Sequence, residues 1–356
     1  MIGSSSAVYP TVPLPAERRL TFALIGPTVP GMDRRAFLFG SLGALAAPLV
    51  AEAQPAAKVY RIGVLTGGSR PSPTAPSSLR EGLRDLGWVE GKNIVFEGRY
   101  AEGKQERLPE LAAELINLKV DVIVTFGTPA ALAARKATST VPIVLGMIGD
   151  PVRVGLVTSL ARPGGNVTGN SLIAPELGLK RLELLKEAIP KAKRIGLPYD
   201  PANPAAAAVR DDLEAAARSL GMELYPIEVR HPDQLEGTFA AAANAGVDAL
   251  LLFSDPVFFS ARTRIMALAL KHRLPSMSEG KEFVEAGGLI SYSPSIPALA
   301  RRAAIFIDKI LRGARPADLP IEQPTTFELV INLTTAKALG LTIPPAFLLR
   351  ADQVID

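Results

Sequence analysis

Val120-Asp121-Val122-Ile123-Val124-Thr125-Phe126, followed at once by Gly127-Thr128-Pro129, is the stretch whose pattern decides the architecture. The run is apolar and β-branched, with little polar alternation. Such a strand is buried on both faces, as in parallel sheets covered by helices. Gly127-Thr128-Pro129 then predicts a helix start, with Thr128 as N-cap and Pro129 at the first helical position. Strand, tight loop and helix N-terminus in succession are half of a βαβ unit.

The alternation extends both ways. Upstream, residues 59–65 predict a strand and 67–78 a Gly/Ser/Pro-rich loop. Leu79, Leu83 and Leu86 share one helical face that ends at Gly87. A strand over 93–100 and a Leu/Ala-rich helix over 105–118 complete the approach to Val120. Downstream, a strand over 141–145 ends near Gly149-Asp150-Pro151, and 162–169 is a turn-rich connection. The pattern then starts afresh. Helices are predicted at 175–189, 204–220, 233–245 and 258–272, and strands at 194–199, 222–229, 247–253 and 274–277. A helical turn at 280–286, a strand at 288–292 and a helix at 296–313 follow. The result is two successive α/β units, each doubly wound around its own parallel sheet.

Composition narrows the function. The chain has 356 residues, 48% hydrophobic and 21% charged, with net charge +4. That suffices for two cores and excludes a disordered chain. Basic and acidic residues are interspersed, as in Arg181-Leu182-Glu183 and Lys186-Glu187. This reads as a solvated surface and not as a nucleic-acid-binding stripe. There is no cysteine, which excludes disulfides, thiolate metal sites, a Cys nucleophile and a lipoprotein anchor.

The N-terminal region reads as an address. Arg34-Arg35-Ala36-Phe37-Leu38 opens an apolar stretch that closes at Ala51-Glu52-Ala53, a small-x-small cleavage pattern. Residues 1–53 are thus an upstream extension plus a cleaved signal peptide near 32–53, with Gln54 as the expected mature start. The arginine pair resembles a twin-arginine signal, although Asp33 stands where that motif prefers Ser or Thr, so the general secretory route stays open. The expected destination is the periplasm.

Ligands of open α/β sheets bind beyond the carboxyl ends of the strands. Loops combining proline with a short polar residue recur there, at 126–129, 149–151, 199–204 and 254–256. Asp150 and Asp255 could face an ammonium group. Ser69, Thr128 and Ser171 could donate to a carboxylate, and Tyr199 and Tyr292 could stack on an aromatic body. Each has a structural alternative. Thr128, Asp200 and Asn203 suit helix caps, Asp150 and Asp255 suit strand ends, and Glu279 suits a helix start. Catalysis finds less support. His231 and His272 are the two histidines, neither near a nucleophile motif, and no phosphate-loop, dinucleotide or zinc-hydrolase signature occurs. No cofactor and no metal are expected.

Several segments together resemble a known family. They are Val120 to Val124 with Gly127-Thr128-Pro129, Thr140 to Val144, Gly149-Asp150-Pro151, Ser159 to Gly169, Lys180 to Lys186, and Phe327 to Gly340. In combination they resemble the ABC-transporter substrate-binding family that includes tryptophan-binding members. The likeness runs from about residue 58 to the C-terminus. It implies a type 1 periplasmic-binding fold of two lobes joined by a hinge with three crossings. Residues 58–168 and 291–322 would form one lobe, and 169–290 and 323–356 the other. It further implies a monomer that hands a small amino-acid-like or aromatic ligand to an ABC permease. A periplasmic sensor or an enzyme on the same fold are the alternatives.

The implied cleft is lined by Ser69, Thr128, Pro129, Asp150 and Ser171 from one side. Tyr199, Asn203, Asp255, Ser278, Glu279 and Tyr292 line it from the other. Two positions depart from the family pattern. Members often carry an aromatic at the place of Ser278, and Trp-Asn at the place of Tyr199-Asp200.

Overall fold

A computed structural model describes residues 58–70, 76–172, 174–253 and 255–356. The expected leader over 1–53, the middle of the 67–78 loop and Ser254 lie outside the described residues.

The first sheet has strands β1 (Tyr60–Thr66), β2 (Ile94–Tyr100), β3 (Val122–Phe126), β4 (Ile143–Ile148) and β5 (Val167–Ser171). They lie in the order β2-β1-β3-β4-β5, all parallel. The Val120 stretch is central, and Val122, Ile123 and Val124 are fully buried, because helices cover both faces. On one side lie α1 (Ser77–Asp85) and the helix over Ile296–Leu311, whose alanines pack beneath Val64, Val124 and Val144. On the other lie α2 (Leu108–Asn117) and α3 (Thr128–Ala137).

One local expectation is corrected here. Thr128 is not an N-cap: α3 begins at Thr128 itself, Gly127 holds the cap position, and no side chain caps the end. The physical reason is Gly127, whose φ of 93° and ψ of 146° turn the chain within one residue and which only glycine holds without strain.

The second sheet has β6 (Arg194–Tyr199), β7 (Glu223–Glu228), β8 (Ala249–Leu252), β9 (Ser276–Ser278), β10 (Ile290–Ser293), β11 (Glu328–Asn332) and β12 (Gln353–Ile355). Their order is β12-β11-β10-β9-β8-β6-β7. Pro226 is tolerated within β7 because that strand is an edge. One face is covered by α4 (Ala174–Ala188), α5 (Pro204–Ser219), α11 (Leu333–Leu339) and α12 (Pro345–Leu348). The other carries α6 (Leu235–Asn244), α7 (Pro256–Ser260), α8 (Arg262–Lys271) and α9 (Lys281–Glu285). The helix expected over 258–272 is thus two helices, parted at Ala261.

The sheet is mostly parallel, but β10 and β11 run antiparallel. The chain leaves β10 for α10 (Ile296–Leu311), which packs on the first sheet, and re-enters the second through β11. A strand that re-enters a sheet at the end where the chain left it runs opposite to the strand it left. Passages between the lobes follow β5, follow β10 and precede β11. At the last, Glu322 pairs by backbone with Gly169 and Ser171 (2.9 and 2.8 Å). Its carboxylate accepts two hydrogen bonds from Arg302 on α10, at 2.5 and 2.7 Å. The divisions expected at 168/169 and 290/291 fall inside β5 and at the first residue of β10.

Candidate ligand site

Each sheet has one place where successive connections diverge: between β1 and β3 in the first, and between β6 and β8 in the second. Such switch points open a crevice beyond the strand ends. In the second sheet the crevice is built by early parting. The β6–β8 ladder stops at Ile195–Ala249 and Gly196–Leu250, while β6 continues beside β7 to Tyr199. Leu197, Pro198 and Tyr199 therefore turn one edge toward open space.

A cavity of about 70 Å³ lies there. Its walls are Leu197, Tyr199, Val209, Phe253 and Phe258 from the second lobe, and Gly127, Thr128, Met147 and Ile148 from the first. A second cavity of about 500 Å³ adjoins it, with Met147 and Pro256 common to both. Thr66, Ser69, Tyr100, Phe126, Phe259 and Arg262 are among its lining residues.

The lobes meet directly around these spaces. The backbone N–H of Ser69 donates to Ser260 Oγ across the cleft at 3.1 Å. Arg153, after β4, pairs with Asp212 on α5. A Cβ on Gly127 would lie 2.5 Å from Pro256 Cγ, and one on Gly68 would lie 2.6 Å from Ser260 Oγ. The first lobe thus offers bare backbone at its rim, and the second seats prolines and small side chains on it.

The polar floor belongs to the second lobe. Asp255 caps α7, accepting from Val257 N at 2.8 Å, and its other oxygen accepts from Asn203 Nδ2 at 2.8 Å. Asn203 caps α5 through Ala205 N at 3.1 Å. Burial pushes the Asp255 carboxyl up to about 6, opposed by these hydrogen bonds. Asp200 accepts from Ala202 N at 2.9 Å with one oxygen, while its buried Oδ2 has no partner. Burial raises its pKa too. Glu279 receives Arg181 at 2.8 Å, and Arg181 also donates to the Tyr292 carbonyl at 2.7 Å.

The profile of the ABC transporter substrate binding protein family matches residues 64–355. The chain belongs to that family. A curated tyrosine-binding protein of Clostridioides difficile is 28% identical over 268 residues, covering 75% of this chain and 76% of that one. A conserved domain protein of Vibrio cholerae superposes with TM-score 0.78 at 30% identity, covering 83% of this chain and all of the other. A Streptococcus domain in complex with L-Trp gives TM-score 0.76 at 29% identity, over 84% of this chain and all of its own. A ligand-free, open substrate-binding protein of Clostridium difficile gives 0.56 at 25% identity, over 84% and 99%. Leucine-binding and methylthioribose-binding proteins share the fold at 15% and 16% identity.

In this substrate-binding protein the residues singled out from sequence separate into groups. Thr128, Tyr199, Asn203, Asp255 and Glu279 line the smaller cavity, and Ser69 the larger. The Tyr199 hydroxyl is turned to Glu228 at 2.9 Å, so its ring and not its oxygen faces the space. Pro129, Asp150, Ser171, Ser278 and Tyr292 line neither cavity. Asp150 accepts from Val152 N and Arg153 N (2.9 and 3.1 Å), closing its own turn. Ser171 donates to Gly149 O at 3.0 Å and Ser278 to Ile290 O at 3.1 Å, both fully buried. Tyr292 packs on Phe327 with ring centroids 5.8 Å apart.

Sequence reasoning missed Arg181, read as solvated but 0% exposed. A signal was available: Arg181 sits four residues from both Leu177 and Leu185, on the apolar stripe of α4. It also missed Gln105 and the apolar wall of Met147, Phe253 and Phe258, for which no local pattern speaks.

Proposed function

We propose that this substrate-binding protein captures an amino-acid-like small molecule, aromatic in its apolar part, in the inter-lobe cleft and passes it without chemistry to a membrane permease. The supporting observation is the cavity formed where the switch points of both lobes face each other, with apolar walls and a polar floor. Phe253, Phe258 and the Tyr199 ring suit an apolar body, and the carboxylates of the second lobe suit an amine. The tyrosine-binding relative and the L-Trp complex support the same ligand class. The protein works in the periplasm as a monomer, exported through the segment near 32–53, and the mixed surface charge gives no foothold for nucleic acid. Closure around the ligand is a rotation about the passages after β5, after β10 and before β11.

The test is a thermal-shift screen followed by calorimetry against amino acids, aromatic acids and purines. A ligand at a hundred times its Kd adds about 2.7 kcal/mol to stability. An amino acid giving such a shift supports the reading. No shift with any amino acid or aromatic acid overturns it.

A further inference from the structure

We propose that Asp200 Oδ2, together with the side-chain amide of Gln105 on the opposite lobe, receives the protonated amine of the ligand, so that the cleft selects compounds by their cationic nitrogen. The inference rests on the proposed function and names the feature that decides its cargo.

The other acidic groups on the cavity wall are engaged. Asp255 has one oxygen on Val257 N and the other on Asn203. Glu279 is bound by Arg181, whose guanidinium is itself held by the Tyr292 carbonyl. Asp200 differs. It is 2% exposed and lines the cavity, yet its Oδ2 meets no donor. Gln105, 8% exposed, begins the 3₁₀ turn Gln105–Arg107 of the first lobe, and both its side-chain oxygen and its nitrogen lack partners. Its side chain stands within hydrogen-bonding reach of the Asp200 carboxylate and favours the ionised form. Gly67 leaves it room, since a Cβ there would lie 2.5 Å from Gln105 Oε1.

A buried polar group left unpaired costs about 1–3 kcal/mol, and native proteins keep few of them. Here two lie together, one from each lobe, and Asp200 lines a cavity. An ammonium ion supplies what both oxygens lack: three N–H donors and a positive charge. Its binding would also join the two lobes through one ligand atom, which is how a ligand favours the closed state. A neutral or anionic end at the same place would leave Asp200 unpaired or repelled.

The experiment uses a matched trio on the purified protein: L-tyrosine, tyramine and 3-(4-hydroxyphenyl)propionate, with Kd by calorimetry. L-Tyrosine and tyramine are expected to bind, and the propionate, which lacks the amine, at least tenfold more weakly than L-tyrosine. Asp200→Asn keeps an oxygen for Ala202 N. It is expected to lose at least tenfold in affinity for both amines while the ligand-free protein melts no lower than the wild type. Gln105→Leu should lose three- to tenfold for the amines. The proposal is overturned if the propionate binds within threefold of L-tyrosine, or if Asp200→Asn changes amine affinity less than twofold. A lower melting temperature of ligand-free Asp200→Asn would mark Asp200 as structural and overturn it as well. If none of the three binds, the aromatic amino-acid reading itself fails, and the pair with it. Binding of the propionate alone overturns the amine assignment and leaves the cleft reading standing.

Discussion

The two rims of the cleft are built from different materials. The first lobe presents backbone: Gly68 and Gly127, followed by the N-terminus of α3. The second presents side chains: Tyr199, Asp200, Asn203, Asp255 and Glu279, held by caps and a buried ion pair. The difference separates two tasks. A backbone rim lets the lobes approach closely whatever the ligand, and a rigid side-chain floor decides which ligand is worth closing on. The floor then should fail by losing stability or selectivity, and the rim by losing closure.

The largest effect is expected from the support of the floor. Arg181 and Glu279 pair at 0% and 6% side-chain exposure. Removing one member of a buried pair strands the other charge, at about 3–5 kcal/mol. Arg181→Met should lower the unfolding free energy by that much in urea titration. Arg181→Met combined with Glu279→Gln should recover part of it. A single variant within 1 kcal/mol of wild type would mean that the floor is not held by this pair.

Burial of the floor carboxylates predicts a pH dependence of the ligand-free protein. Asp255 is raised to about 6 from 3.8, so its proton is held more tightly in the folded state than in the unfolded chain. Its contribution favours the fold at low pH and is lost as pH rises through about 6, amounting to at most about 3 kcal/mol. Asp200 shifts the same way through burial, moderated chiefly by the hydrogen bonds from Ala202 N and the Gln105 side chain. Other carboxylates, such as Glu322 beside Arg302, shift oppositely, so the comparison is with Asp255→Asn. Between pH 7.5 and 5 the wild type should gain stability relative to that variant. Affinity for an amine should run the other way, falling as the carboxylates take up protons. Parallel stability curves for the two proteins would refute the assignment.

How far the sequence spoke follows the same division. The Val120 run announced a sheet buried on both faces because β-branched residues without alternation have few other uses. Asn203 was readable as a cap because Asn before proline suits that position, whereas Thr128 before Pro129 follows the same pattern and is not one. The antiparallel β11 was not readable: no local pattern tells that a strand returns from the other lobe, and residues 323–356 suggested no elements of their own. Asp150 and Ser171 share the loop chemistry of Asp255, and only the fold shows that their hydrogen bonds close on neighbouring backbone. Gln105 and Asp200 gained meaning only when folding placed them face to face across the lobes.

On the rim, glycine strain and lobe contact can be separated. Gly87 and Gly127 have nearly equal φ, 90° and 93°. A Cβ on Gly87 would meet nothing within 4 Å, while one on Gly127 would meet Pro256. Both alanine variants should lose about 1–3 kcal/mol of stability from backbone strain. Gly127→Ala should in addition weaken ligand binding about tenfold, about 1.4 kcal/mol, with Gly87→Ala within twofold of wild type. Equal affinities would mean that the Gly127–Pro256 approach is not part of closure.

The smallest effect is expected where both rims use side chains. Arg153 and Asp212 join the lobes at the surface, with 38% and 35% of their side chains exposed. Solvent and salt screen such a pair, so it contributes at most about 1 kcal/mol. Asp212→Ala should weaken ligand affinity by less than about fivefold at low salt, and the difference should vanish near 1 M salt, where screening acts within about 3 Å. A tenfold loss that survives high salt would show that closure is latched by this pair, and that the division between a bare rim and a side-chain floor is incomplete.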